Sequence, residues 1–269
     1  MIQSLLHLQA VLGYSIEEME HLISEKDKYY YHFSQTKGFE KGVEQFRHFF
    51  PSKKNLRDLH NRIHTRIFRK IPLPPHVHGS VVGRGNVTNT KAHQGKLYKL
   101  HTDLKSYFDF VSNKKVYDAL RGLGFSQKVC HLLTELTTLN GHLPQGPPTS
   151  PFLANIVGLQ MDNDLLNFCN DHQITYTRYV DDLGFSCQVD FKDLIPKIVD
   201  IINQNGFLIS YKKTVYKKGR IEITGISIGQ NNLLPTKKHL AKYSDPLTPA
   251  HTRKGLGIYF AGFSPKRIK

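Results

Sequence analysis

The chain has 269 residues, enough to bury a sizeable core in one large domain or two modest ones. Apolar residues make up 39% and charged residues 22%, the balance of a soluble globular protein, and no run approaches the ~18 apolar residues of a membrane span. Against 22 Asp and Glu stand 37 Lys and Arg, a formal charge of +15 that points to a polyanionic partner, nucleic acid being the commonest, rather than to a merely basic surface.

The opening MIQSLLHLQAVLGYSIEEME is apolar at first, lacks a basic n-region and soon turns acidic, which predicts a helix rather than a signal peptide. Residues 1–70 read as largely helical, interrupted by the aromatic-rich stretch 29–52, where a hairpin is predicted. In 55–68, Leu56, Leu59, Ile63 and Ile67 recur at helical spacing. The Pro- and Gly-rich 71–85 reads as a structured loop. Residues 96–110 then alternate: Tyr98, Leu100 and Thr102 face one way and Lys99, His101 and Asp103 the other, a strand that delivers Asp103 at its end. Helices are predicted to open at Ser112 and Ser126 as N-caps. A longer helix follows the loop 141–151, with Leu153, Ile156, Val157, Met161 and Leu165 on one stripe. ITYTRYVDDLGFSC (174–187) predicts strand, tight turn, strand, with Asp181 and Asp182 at the turn.

A further helix is expected from near Asp193, because Pro196 is best tolerated in a first turn. GFLIS (206–210), RIEITGISIG (220–229) and a basic tail predict more strands and one or two helices. Together these make an α+β protein with helices packed on one antiparallel sheet. The stretch 210–220 carries five basic residues among two tyrosines, and from Asn232 onward eight Lys and Arg stand against one acid, Asp245. That distribution suits contact with a phosphate backbone. Cys130, Cys169 and Cys187 are scattered without metal-ligand spacing and read as reduced core thiols of a cytoplasmic protein.

The adjacent like charges Asp181 and Asp182 admit two readings, a solvated turn or a pair held by a cation. An antiparallel arrangement would bring the hairpin tip beside the end of Asp103's strand. Three converging carboxylates repel one another unless divalent cations neutralise them, and oxygen-only ligands suit Mg²⁺ or Mn²⁺. Two such ions can activate an attacking hydroxyl and stabilise a leaving pyrophosphate.

Four blocks around these carboxylates stand in an order that resembles reverse transcriptases, specifically bacterial retron-type ones, over residues 28–260. They are DLKSYF at 103–108, LPQGPPTSP at 143–151, YVDD at 179–182 and GFLISYKKT at 206–214. VTNTKAH resembles the retron Asn-Ala-x-x-His signature, with Asn89 and His93 in place and Thr90 where Ala is usual. ITG at 223–225 resembles the retron Val-Thr-Gly. Val180 fills a slot that is commonly Ala, and Ser106 one that is commonly acidic.

The resemblance implies a right-hand polymerase: fingers in 1–95 with elements returning around 112–150, a palm in 96–231 of antiparallel sheet backed by helices, and a short basic thumb in 232–269. Asp103 and Asp181 would bind two Mg²⁺ ions, or Mn²⁺, with Asp182 in looser support. Lys213 would be a general acid or a plain phosphate contact. Nucleotide contacts would come from Arg47 (with Lys37 and Lys41 nearby), Leu104, Phe108, Gln145 and Gly146. Phe108 would be an aromatic steric gate against the sugar; its alternative is an ordinary core aromatic. Asn89, His93, Thr224 and Gly225 would recognise RNA.

The implied function is an RNA-directed DNA polymerase that makes a branched RNA–DNA hybrid (msDNA) from dNTPs and a cognate noncoding RNA (msr-msd), primed by a guanosine 2′-hydroxyl. It would serve an anti-phage system, with the effector a separate chain because no nuclease or protease segment is fused here. Three alternatives stand beside it. Another bacterial defence reverse transcriptase, protein-primed or template-free, is opposed by Asn89 and His93. A viral RNA polymerase usually has Gly before the Asp pair. A degenerate RNA-binding scaffold predicts loss of carboxylates that are all present.

Overall fold

A computed structural model describes residues 1–40 and 42–263; Lys41 and the end of the basic tail, 264–269, lie outside them. The chain divides into two units, Met1–Leu73 with Ser106–Leu159, and Pro74–Lys105 with Gln160–Lys269. In chain order the elements are α1 (Leu5–Leu12), α2 (Ile16–Ser24), β1 (Phe33–Glu40), β2 (Val43–Phe49), α3 (Lys54–Arg62), α4 (Asn86–Lys91) and β3 (Tyr98–Asp103). There follow α5 (Tyr107–Phe110), α6 (Asn113–Gly122), α7 (Gln127–Thr137), α8 (Ser150–Val157), α9 (Leu159–Asp171), β4 (Thr175–Tyr179), β5 (Asp182–Cys187) and α10 (Ile195–Gln204). The chain continues with β6 (Val215–Lys218), β7 (Ile221–Ile223), β8 (Ile226–Ile228), β9 (Leu233–Pro235), α11 (Lys237–Ser244) and α12 (Ala250–Ala261).

The first unit is helical around an antiparallel hairpin. Its helices start where a hydroxyl can satisfy orphan amides: Ser4, Ser15, Ser112 and Ser126 each accept from a backbone N–H in the first turn. The α3 stripe runs on through a π-helical turn, Ile63–Ile67, so that Leu56, Leu59, Ile63 and Ile67 are all buried. Phe68 stacks on Phe152, centroids 4.7 Å apart, and Leu8, Leu12, Val116, Leu120, Val129 and Leu133 are buried with them. Each such fully buried side chain contributes roughly 1.5–3 kcal/mol. The β1–β2 hairpin is different, with exposed side chains along most of both strands and a register shift between Thr36 and Gly38.

The second unit is built on a four-stranded antiparallel sheet in the order β4-β5-β3-β6. Edge strand β4 is covered by the 71–85 loop: Arg178 N–H donates to the His76 carbonyl (2.9 Å) and His78 N–H to the Arg178 carbonyl (2.8 Å). That contact removes an open edge that would otherwise pair with another chain. A second sheet, β7-β8-β9, buries Ile221, Ile223, Ile226, Ile228 and Leu233 against Phe263, with Tyr259 and Phe260 of α12 packed on them. The three cysteines are free and buried.

Four expectations change. The described residues form three separate antiparallel sheets rather than one. The single long helix expected after 151 is two, α8 and α9, parted at Gly158, whose missing side chain makes it a poor helix former. GFLIS forms an isolated bridge, Leu104 with Ile209, rather than a strand. The helix expected near Asp193 begins at Ile195, after a 3₁₀ turn over Lys192–Leu194, with Pro196 still in its first turn. Among the described residues no helix is long and apolar enough to cross a membrane.

Two imidazoles are sealed in these cores. His60 Nε2 donates to the Leu136 carbonyl at 2.8 Å, so the neutral ring accepts from the Ser52 hydroxyl at Nδ1 (2.9 Å). Burial pushes His60 from the ordinary 6.5 down to about 4, and burial with neighbouring positive charge pushes His93 down to about 3. In the unfolded chain both rings titrate near 6.5, so below that pH the unfolded state holds more protons. The stability they support is complete above pH 6.5 and is lost as pH falls toward 4, by up to ~1.4 kcal/mol per pH unit for each ring. Urea unfolding midpoints are expected to drop between pH 7 and 4.5, and His60→Gln or His93→Gln to flatten that slope.

Candidate metal centre

Strands β3 and β5 pair so that Asp103 lies directly opposite Asp182. The β4–β5 hairpin closes at Tyr179–Asp182, leaving Val180 and Asp181 as its two turn residues. Asp181's carbonyl accepts from Leu104 N–H (2.8 Å), and Asp103's from Ser210 N–H (2.7 Å), so backbone bonds on both sides lock the convergence. One carboxylate oxygen from each of Asp103, Asp181 and Asp182 lies within 4.8 Å of the others. Burial, and then repulsion from Asp103 and Asp182, pushes the Asp181 carboxyl from 3.8 up to about 6.

Two cationic or polar groups touch this cluster. Lys213 Nζ donates to Asp103 Oδ2 at 2.5 Å, and His101 Nε2 donates to Asp182 Oδ1 at 3.2 Å. The donor set is wholly carboxylate oxygen, which fits a hard divalent cation rather than zinc or copper. A divalent ion would offset the repulsion that raises Asp181. The residues present therefore fit the divalent metal that this arrangement implies.

The turn is strained. Val180 has φ +59°, at the first central position, where hairpins of this kind usually carry Gly. A β-branched residue there costs on the order of 1–3 kcal/mol. Two neighbours keep it in place: Arg178 Nη1 donates to the Val180 carbonyl (3.0 Å), and Gly79 lies so close that a Cβ on it would sit 2.5 Å from Val180 Cγ2.

An open cavity of about 480 Å³ beside Asp182 and Lys213 is also lined by Asn86, Tyr179, Glu222, Thr224 and Gly225. Thr224 (φ +45°) and Gly225 (φ +76°) form the two-residue turn between β7 and β8. The structure thus brings the turn expected to recognise RNA and the Asp182 carboxylate to one cavity.

Asn89 and His93 behave otherwise. Both are buried: Asn89 Nδ2 donates to the Thr224 hydroxyl (3.4 Å), and His93 bridges the hydroxyls of Ser186 (2.8 Å) and Thr177 (2.7 Å). Gly184 leaves the room His93 needs, since a Cβ there would be 2.7 Å from His93 Nε2. Direct RNA contact, expected of these two side chains, gives way to fixing α4 against the sheet and the Thr224 turn. Leu104, expected at the nucleotide, has a buried side chain and an N–H that donates to the Asp181 carbonyl, so any contact it makes with a nucleotide falls to its own carbonyl.

The other expected nucleotide contacts belong to the first unit. Arg47 is exposed on β2 opposite Gln35, and Lys37 is exposed on β1. Phe108 is half-buried on α5, next to Tyr107, whose hydroxyl donates to the Ala154 carbonyl. Gln145's carbonyl accepts from Phe50 N–H (2.7 Å), and Gly146 has φ +127° with Pro51 N 2.9 Å from where a Cβ would stand. Only glycine meets both demands. Sequence reasoning missed Asn86, Glu222 and the roles of His101 and Arg178. For His101 a signal existed, since it shares Asp103's strand face two residues earlier.

Residues 39–228 match the reverse transcriptase (RNA-dependent DNA polymerase) family, and the chain belongs to it. It is 28% identical over 233 residues to the retron Se72 reverse transcriptase of Salmonella heidelberg, covering 84% of this chain and 61% of that one. To the retron Ec86 reverse transcriptase of Escherichia coli it is 28% identical over 224 residues, covering 81% and 69%. The chain thus spans roughly two thirds of the length of these relatives. Apo telomerase from Candida tropicalis shares the fold, with TM-score 0.51 and 12% identity over 89% of this chain and 55% of that one.

Because cation binding relieves repulsion in the folded state only, Mn²⁺ or Mg²⁺ is expected to raise the melting temperature over that in EDTA. Asp103→Asn/Asp181→Asn is expected to remove that increment and to weaken Mn²⁺ binding, read by electron paramagnetic resonance, by about tenfold or more.

Proposed function

We propose that the chain is an RNA-directed DNA polymerase that copies a cognate noncoding RNA (msr-msd) into DNA from dNTPs, in retron fashion, leaving a branched RNA–DNA product. The observation that carries the reading is the in-register pairing of Asp103 with Asp182, with Asp181 at the adjoining turn, in a chain of the reverse transcriptase family. In this reading the four-stranded sheet is the palm, the first unit's helices and hairpin are fingers, and the basic segment from 232 is the thumb.

When bound, two Mg²⁺ ions, or Mn²⁺ in their place, would activate the attacking hydroxyl and stabilise the leaving pyrophosphate. Asp103 and Asp181 would hold both ions, with Asp182 kept in place by His101. Lys213 rests on Asp103 and would give a proton to the departing pyrophosphate. Arg47 and Lys37, both exposed, offer cations to the triphosphate, and the guanidinium can engage two oxygens at once. Phe108 would close the space a ribose 2′-hydroxyl needs, so that DNA is made. Gln145 and Gly146 would lie beneath the nascent base pair.

RNA recognition falls to Thr224 and Gly225, with Asn86, at the cavity beside Asp182; Asn89 and His93 support them from within. Basic residues of 210–220 and 237–254 would track the phosphate backbone. A cytoplasmic setting, an anti-phage role and a separate effector chain complete the proposal on the strength of the retron resemblance.

The test is to purify the protein from cells carrying its native locus, extract the bound nucleic acid, and treat it in parallel with DNase, RNase and debranching enzyme. A discrete species cut by both nucleases and split by debranching is expected. RNA without DNA would overturn the polymerase, and DNA without a covalent RNA branch would leave the polymerase and remove the retron. Asp181→Ala/Asp182→Ala is expected to abolish the DNA while the RNA still copurifies. Phe108→Ala is expected to raise ribonucleotide incorporation by about tenfold or more in primer extension; unchanged discrimination would make Phe108 a core aromatic.

A further inference from the structure

Arg178, in the middle of β4, is wholly buried, and so is Asp162 on α9. They form a bidentate pair, Arg178 Nε to Asp162 Oδ1 and Arg178 Nη2 to Asp162 Oδ2, both at 2.7 Å. Asp162 also accepts from the Tyr176 hydroxyl (2.7 Å) and lies 3.3 Å from His76 Nε2. Burial alone would raise the Asp162 carboxyl, but Arg178 and His76 outweigh it and hold it down to about 2, so the pair stays ionised.

A buried ion pair of this kind is no more stabilising than well-packed apolar residues of the same size. Stability therefore does not explain it. What an apolar pair could not do is use the remaining guanidinium nitrogen: Arg178 Nη1 donates to the carbonyl of Val180, the turn residue at φ +59° directly before Asp181. Arg178's own backbone is pinned on both sides by His76 and His78, and Gly79 of the same loop lies against Val180. Helix α9 and the turn thus meet at one guanidinium, with the 76–79 loop on Arg178's backbone and against Val180.

The geometry points to Arg178 and Asp162 as positioning residues: they hold the Val180 turn in its left-handed conformation and thereby set Asp181 and Asp182 for the metal, a role that rests on the polymerase reading above. Neither touches the reacting atoms. Lysine cannot replace the arginine, because one ammonium lacks the planar fork that reaches a carboxylate and a backbone carbonyl together. Glycine at 180 would adopt the same φ without help.

The experiment compares wild type, Arg178→Lys, Val180→Gly and Arg178→Lys/Val180→Gly. Its readouts are Mn²⁺ affinity by electron paramagnetic resonance, the Mg²⁺ dependence of primer extension, and the melting temperature in EDTA. Arg178→Lys is expected to weaken Mn²⁺ binding and raise the Mg²⁺ requirement by about tenfold, ~1.4 kcal/mol. Adding Val180→Gly is expected to restore most of both while leaving unrecovered any melting temperature lost with the arginine. Wild-type Mn²⁺ affinity in folded Arg178→Lys, or no recovery with Val180→Gly, would overturn the role.

Should Arg178→Lys fail to fold, Arg178→Met/Asp162→Leu preserves apolar packing. It is expected to bind Mn²⁺ about tenfold more weakly at a near-native melting temperature, and wild-type affinity there would overturn the role equally. A wild type that binds Mn²⁺ but makes no DNA would sink the polymerase reading while the Mn²⁺ comparison still judges Arg178. A wild type that binds no Mn²⁺ would overturn both.

Discussion

Three carboxylates held within 4.8 Å of one another repel, and the arrangement of the second unit follows from keeping them there. Antiparallel register sets Asp103 opposite Asp182, and the shortest possible hairpin puts Asp181 at the tip. An extra residue in that turn, or a one-residue slip of β5, would send one carboxylate to the opposite face of the sheet. Burial first and then this repulsion raise Asp181 to about 6, and Lys213, bonded to Asp103, partly offsets them. A divalent cation is the natural complement to what remains.

Holding the cluster is a matter of backbone rather than of surface charge. Leu104 and Ser210 tie the ends of neighbouring segments to the aspartates' own carbonyls, and the 71–85 loop covers the edge strand beside them. The left-handed Val180 is the strained point, and the buried Arg178 guanidinium bonds its carbonyl. Polar networks of this kind matter most when every member is satisfied, because the low dielectric inside a protein strengthens both a made bond and a missing one. His93 bridges the hydroxyls of Thr177 and Ser186 on the same two strands, β4 and β5.

Thr224 and Asn89, from two separate signatures, sit in different surroundings. Thr224 and Gly225 occupy a half-buried two-residue turn at the cavity beside Asp182, whereas Asn89 and His93 are fully buried. Residue type alone does not separate these roles, since asparagine and histidine contact RNA readily when exposed. Burial separates them. Leu104 is likewise buried, with its N–H donated to the Asp181 carbonyl.

Much of the local structure was legible from residue order. The N-caps at Ser112 and Ser126, the strand ending at Asp103 and the hairpin around Asp181 follow from short-range rules of capping, alternation and turn chemistry. Those rules act over a few residues and need no partner. The division into separate sheets and the failure of 206–210 to form a strand depend on which segments meet, and no local pattern carries that information. Likewise the sequence alone identified the three aspartates, because four blocks in order surround them. Only the tertiary structure decided that Asp162 sixteen residues before Arg178 shares its guanidinium, that His101 holds Asp182, and that Asn89 and His93 face inward. Such pairings are set by packing across distant segments, where burial and geometry rather than residue type determine what a polar side chain can touch.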